Sequence, residues 1–171
     1  VYLLLRKRIS WHIPVALTVS FTVLFMLLPD GEYRFSLAGV LLGAIFMATD
    51  MPTSSSTFIG RLYYGAMIGA VAVMCIAFGV KHEYMSYSIL LLNAFVVPVD
   101  WVFRPRVWGG KSRLAARIGQ GIALTAAILV TTGLVIWLHH REWIMYLVFA
   151  YIVWSIGCFF VRQRKPDVSA A

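Results

Sequence analysis

Apolar residues run through this chain in long stretches separated by short polar breaks. The stretches are 11–29, 35–49, 62–80, 84–103, 118–138 and 143–161. A bilayer-crossing helix needs roughly 20 mostly apolar residues, and all but 35–49 approach that length. None shows the two-residue alternation of a barrel strand, so a β-barrel is excluded. The pattern predicts an all-α integral membrane protein with about six transmembrane or partly spanning helices, after a helix remnant, "VYLLL", at 1–5. The stretch 35–49 rises only about 22 Å as a helix against an apolar core of about 30 Å. It is expected to end within the thickness of the membrane.

The polar breaks alternate in character. Arg6-Lys7-Arg8, Arg61, the group Arg104, Arg106, Lys111, Arg113 and Arg117, and the group Arg162, Arg164 and Lys165 are basic; "DGEYR", "KHE" and "HHRE" are mixed in sign. If all six stretches cross, every basic cluster falls on one face, which the positive-inside bias makes cytoplasmic, with the C-terminus on the same side. Trp11, Trp101, Trp137 and Trp143 lie near stretch ends, as interfacial aromatic belts do.

Composition agrees. Of 171 residues, 61% are hydrophobic and 13% charged, and the mean hydropathy is +0.82, far from a soluble domain. The net charge of +8 sits at the ends of apolar runs and not on a polar surface, so nucleic acid is not a partner. Cys75 and Cys158 stand singly in apolar runs and form no metal-ligand pair. They read as small buried apolar residues. His12, His82, His139 and His140 all lie at stretch ends and read as solvated interfacial groups. No phosphate-binding, nucleophile-elbow or zinc-protease motif is present. The chain opens on Val1, and "VYLLL" reads as the tail of a helix begun upstream. "RKR" before an apolar run suggests a signal peptide, but the run is too long and lacks a small-residue cleavage site.

Two polar intrusions invite a functional reading. The first is "GAIFMATDMPTSSSTFIGRLYYGA", 43–66. A carboxylate at membrane depth is a functional candidate by default, and Asp50 follows the short helix directly. Thr49, Thr53, Ser54 and Thr57 offer hydroxyls to a ligand's polar edge or to the next helix start. Gly60 permits close approach, and Arg61 offers a fork donor to an anion or to Asp50. The plain alternative is a cytoplasmic turn with a capping cluster. The second intrusion is "YSILLLNAFVVPVD", 87–100. Pro98 kinks the helix. Asn93 serves as interhelical glue or, with Asp50 and Asp100, as part of an ion path or polar cavity. Asp100 otherwise pairs with Arg104 or Arg106.

"GVLLGAIFMATD", "GRL" and "YGA", followed by "LLLNAFVVPVD" and "RPR", resemble one family. It is the membrane protein shared by the Rnf complex, as its D component, and by the sodium-translocating NADH:quinone reductase, as its B component. The resemblance covers roughly residues 2 to 106. The matching positions are Gly43, Phe46, Ala48, Thr49, Asp50, Thr53, Thr57, Gly60, Arg61, Tyr64, Gly65, Asn93, Pro98 and Asp100. The family's T-D-P-V-T reads T-D-M-P-T here, and its I-R-x-F-G-G-Y-P-E-G reads "CIAFGVKHEYMS". The resemblance implies one half of the family fold, 1–106, then a basic loop, 107–117, a two-helix extension, 118–162, and a polar tail, 163–171.

It also implies a multi-pass subunit of a prokaryotic inner membrane, working with other membrane, iron–sulfur and flavin subunits of a redox complex. Such a subunit helps hold flavin (FMN or riboflavin) or quinone and couples electron transfer to sodium or proton movement. Cofactor contacts would fall to Thr49, Asp50, Thr53, Ser54, Thr57, Gly60 and Arg61, and the ion path to Asp50, Asn93 and Asp100. The family's S-G-A-T motif, whose Thr carries FMN covalently, is not among these residues. Two alternatives stay open: a small-molecule permease, for flavin as one case, and a structural subunit without its own cofactor.

Overall fold

Ser36 and Thr57 mark where two of the helices begin. Each side-chain hydroxyl accepts a hydrogen bond from the amide three residues on, Gly39 and Gly60 respectively, filling one of the donors a helix start leaves unpaired. The computed structural model describes residues 11–29, 35–49, 55–80, 82–104 and 114–163. Every regular element among them is helical. In chain order these are α1 (His12–Met26), α2 (Leu37–Leu42) running into a π turn (Gly43–Met47), α3 (Phe58–Ala77), α4 (Tyr84–Ala94), α5 (Val96–Phe103), α6 (Leu114–His140) and α7 (Trp143–Gln163). All six apolar stretches are thus helical. Three helical segments are long and apolar enough to cross a membrane: Phe58–Ala77, Arg117–His140 and Trp143–Phe160. The pair α4 and α5 makes a fourth if its 55° bend lies within one span. His12–Met26 and Leu37–Met47 are shorter apolar helices.

The chain divides into two compact units, 1–133 and 134–171. In the first, α3 is the central helix and α1 its largest neighbour. Ile13, Leu17 and Phe21, one turn apart on α1, are buried. Gly65 and Gly69 lie opposite them. A Cβ at Gly65 would fall 2.7 Å from the Ile13 carbonyl oxygen, and one at Gly69 2.7 Å from that of Leu17. The two glycines form a G-x-x-x-G groove that admits the α1 backbone itself, and the Ser20 hydroxyl crosses it to the Ala66 carbonyl at 2.8 Å. Ile13 meets Gly65 and, one turn later on both helices, Leu17 meets Gly69, so α1 and α3 run parallel. Phe25, Phe21 and Phe35 cluster where α1 ends and α2 approaches, with the Phe25 and Phe35 rings 4.5 Å apart.

Gly79 closes α3. Its φ of 88° is the left-handed conformation that ends helices and that L side chains resist. The break between α4 and α5 lies at Phe95, one turn before Pro98. Pro98 has no N–H to give the Ala94 carbonyl, and the bond from the Val99 amide to the Phe95 carbonyl, 3.0 Å, restarts the helix. The kink expected from Pro98 is therefore present, displaced by the four-residue reach of the missing bond. In α6, Thr125 hydrogen-bonds Tyr63 of α3 at 2.8 Å.

The second unit comprises the end of α6, a turn at Arg141 and Glu142, and α7. Arg141 lies over the Trp137 ring, 5.7 Å from its centroid. The described side chains of α7 are nearly all exposed, and they are apolar and aromatic.

Candidate functional site

The α3 start and α5 meet at one end of the first unit. The residues just ahead of the Thr57 cap, Ser55 and Ser56, converge on the Asp100 carboxylate. The Ser55 hydroxyl donates to Oδ1. The Ser56 amide lies 3.1 Å from both carboxylate oxygens, and its hydroxyl donates to Oδ2 at 2.9 Å. Hydroxyls, an amide and the positive end of α3 thus answer a charge that would be costly unpartnered. The expected pairing of Asp100 with Arg104 is absent among the described residues; Arg106 lies outside them.

Ser55 is the hub. It is buried; its hydroxyl serves Asp100, and its carbonyl accepts from Arg61 Nε at 3.1 Å. Gly60 makes room for it, since a Cβ there would strike the Ser55 and Thr57 hydroxyls. The close approach expected at Gly60 is thus local, to side chains of the same loop. Arg61 is half-buried, and its terminal nitrogens have no partner among the described residues.

Thr49 is buried, and its hydroxyl turns back onto the Ile45 carbonyl. That carbonyl belongs to the π turn, in which the Ala48 amide reaches five residues back to Gly43 at 2.9 Å; such turns widen a helix and recur at functional sites. Thr57 uses its hydroxyl as the α3 cap. Asn93, at the last turn of α4, accepts from the fully buried Tyr64 hydroxyl of α3, which is the interhelical use expected for it. Asp50, Thr53 and Ser54 lie outside the described residues, as does any pairing of Asp50 with Arg61 or sharing of a cavity with Asp100. Among the sites expected from sequence, then, Thr57, Gly60, Arg61 and Asp100 come together, and Asn93 occupies the preceding half of the bent pair.

Two features went unread in the sequence. Ser55 and Ser56 stand in a run of hydroxyl residues that gives no register; only the cap at Thr57 fixes which serines face α5. His12 is not simply solvated: its ring stacks on Trp11 at 4.2 Å and meets the edge of Phe58 at 4.7 Å, and its Nδ1 is buried with no hydrogen-bond partner among the described residues. Cys75 is buried as expected, whereas Cys158 is exposed. Among the described residues no group of three His, Cys, Asp or Glu side chains could hold a metal ion.

The sequence profile of the NQR2, RnfD, RnfE family matches residues 1–109. The chain belongs to this family. The match agrees with the resemblance expected over residues 2 to 106 and includes the whole Ser55–Asp100 arrangement. Curated relatives are described as the D component of an ion-translocating oxidoreductase complex. That of Aliivibrio salmonicida (strain LFI1238) is 34% identical over 118 residues, 64% of this chain and 34% of the relative. That of Citrobacter koseri is 35% identical over 119 residues, 65% of this chain and 34% of the relative. That of Escherichia coli (strain K12) is 34% identical over 119 residues, with the same coverage. The aligned stretch is therefore about a third of the length of these relatives, and α7 lies beyond the family match.

Proposed function

We propose that the chain is a membrane subunit of an ion-translocating electron-transfer complex of the Rnf or NADH:quinone reductase type, seated in a prokaryotic inner membrane with its basic loops in the cytoplasm. The observation that carries this reading is the placement of the Ser55–Asp100 arrangement inside the family match, at the end of the first unit that also bears Arg61, Arg104 and Arg117. The Arg117 guanidinium donates to the Arg104 carbonyl at 3.1 Å, which puts the start of α6 at this end too and agrees with one basic face.

In this reading the partners are the other membrane, iron–sulfur and flavin subunits of the complex. Flavin or quinone would be held by Arg61, whose terminal nitrogens have no partner among the described residues and can donate to an anionic or carbonyl group, together with Asp50, Thr53 and Ser54. Thr49 and Thr57 would add their remaining capacity, since the Thr57 cap uses only a lone pair and the Thr49 bond only the O–H. Asp50, Asn93 and Asp100 would serve sodium or proton movement.

The test is purification of the tagged full-length subunit from its native membrane. Co-purification of flavin and iron–sulfur subunits, with electron transfer that Asp50→Asn or Asp100→Asn uncouples from ion movement, supports the proposal. Recovery without redox partners, and solute uptake that fails on Asp50→Asn, would replace it with a permease. Ultraviolet illumination of a denaturing gel of the same preparation shows whether the subunit carries a covalent flavin; a dark band leaves a freely bound cofactor, a transported solute or a scaffold.

A further inference from the structure

The pair α4 and α5 is a bent element with the length of a single span. Together they cover twenty residues, 84–103, which as one straight helix would be about 30 Å long, the thickness of the bilayer core. They are instead bent by 55° at Phe95. Only the Ala94–Pro98 hydrogen bond is chemically forbidden; a proline kinks a helix without requiring so sharp a turn. The bent form therefore needs something to hold it.

Apolar contact is a weak candidate. Val99 and Val102 of α5 are buried, and the Phe103 ring lies 5.0 Å from that of Tyr63, but lipid tails offer an apolar side chain nearly the same surroundings as another helix does. Val97 and Trp101 on the same short helix are exposed. The contacts lipid cannot replace are the bond from Arg117 to the Arg104 carbonyl just past the end of α5 and, on α5 itself, the hydrogen bonds from Ser55 and Ser56 to Asp100. The serine bonds tie α5 to the α3 start, where Arg61 and Gly60 fix Ser55 in turn.

We propose that α5 is a hinged half-helix, latched in its bent position by the Asp100 carboxylate on Ser55 and Ser56, and free to swing about Phe95 toward a straight α4–α5 span when that latch is removed. This rests on the geometry of the first unit and not on the redox reading, so either can fail alone. An eight-residue α5 is about 12 Å long, and straightening the whole bend would carry its far end through about 11 Å.

The experiment is pulsed electron spin resonance on the full-length subunit in lipid nanodiscs, with Cys158 and other accessible cysteines replaced. Spin labels go on Ile59→Cys and Trp101→Cys, both exposed positions, one at the α3 start and one on α5. The latched protein gives one narrow distance population. Asp100→Asn, and separately the Ser55→Ala/Ser56→Ala pair, are each expected to add a population displaced by several ångströms. An unchanged narrow population in both variants overturns the proposal, and so does opening in the serine pair without opening in Asp100→Asn. Loss of helical circular dichroism in either variant overturns it too, because a latch is dispensable for forming the helices and a structural brace is not.

Discussion

Gly65 of α3 lies so close to Ile13 of α1 that a Cβ on the glycine would sit 2.7 Å from the Ile13 carbonyl oxygen. The neighbour is backbone, which cannot rotate away, so Gly65→Ala must push the two helices apart. A loss of about 1–3 kcal/mol is expected, as for other overpacked interfaces. Gly121→Ala on α6 is the control, since nothing lies within 4 Å of its Cβ position; there alanine is expected to be neutral or to stabilise by up to about 1 kcal/mol. Thermal unfolding of both variants in the same detergent reads the difference, and equal stability would refute the close approach.

The Tyr64–Asn93 hydrogen bond joins α3 to the end of α4 in partly buried surroundings. Interhelical bonds in membranes contribute about 0.6 kcal/mol on average and seldom more than about 1.7. Tyr64→Phe and Asn93→Leu are each expected to destabilise, and the double variant by less than the sum of the two. A double-mutant cycle on unfolding free energy tests this; strict additivity would mean the pair does not interact.

Thr57→Ala removes the α3 cap and is expected to cost about 1 kcal/mol, with Thr57→Ser largely restoring it. Amide exchange at Gly60, the residue whose N–H the cap accepts, should accelerate in the alanine variant alone.

Gly60→Ala acts by a different route. Its new methyl group would occupy the place of the Ser55 and Thr57 hydroxyls, so Ser55 is expected to leave Asp100. Accessibility of a cysteine placed at Ser56 to a polar thiol reagent should rise in Gly60→Ala and stay unchanged in Gly121→Ala.

Arg61→Lys retains the charge and loses the Nε donor that holds the Ser55 carbonyl at 3.1 Å. Lysine cannot reproduce the planar fork. Amide exchange at Ser56 is therefore expected to rise several-fold in this variant, and an unaltered rate would show that the arginine does not organise the loop.

Much of the fold was legible because the membrane allows few options. Each apolar stretch became a helix, and Pro98 announced the bend. The bend's position was less obvious, since proline breaks the helix at the carbonyl four residues back and not at itself. The α1–α3 groove escaped notice because Gly65 and Gly69 resemble any small residues until a partner backbone lies against them. Asp100 was legible as a residue needing an explanation. Its partners were not, because which serines meet it is set by the α3 register and by folding across more than forty residues of intervening chain.

The π turn at Gly43–Met47 bears on what kinds of genetic change this segment tolerates. Ala48 and Thr49 are buried while Ile45, Phe46 and Met47 are exposed, and the wide turn sets that bearing. A π turn holds one residue more than an ordinary helical turn, so removing one codon from 45–47 would let the helix continue with ordinary spacing and leave Ala48 and Thr49 on the same bearing. Adding a codon there is a different matter, since an ordinary helix turns Ala48 and Thr49 outward by about 100° for each extra residue. Substitutions at 45–47 exchange one exposed apolar side chain for another, and a one-residue in-frame deletion is absorbed by the wide turn, whereas an in-frame insertion re-aims the buried Ala48–Thr49 face.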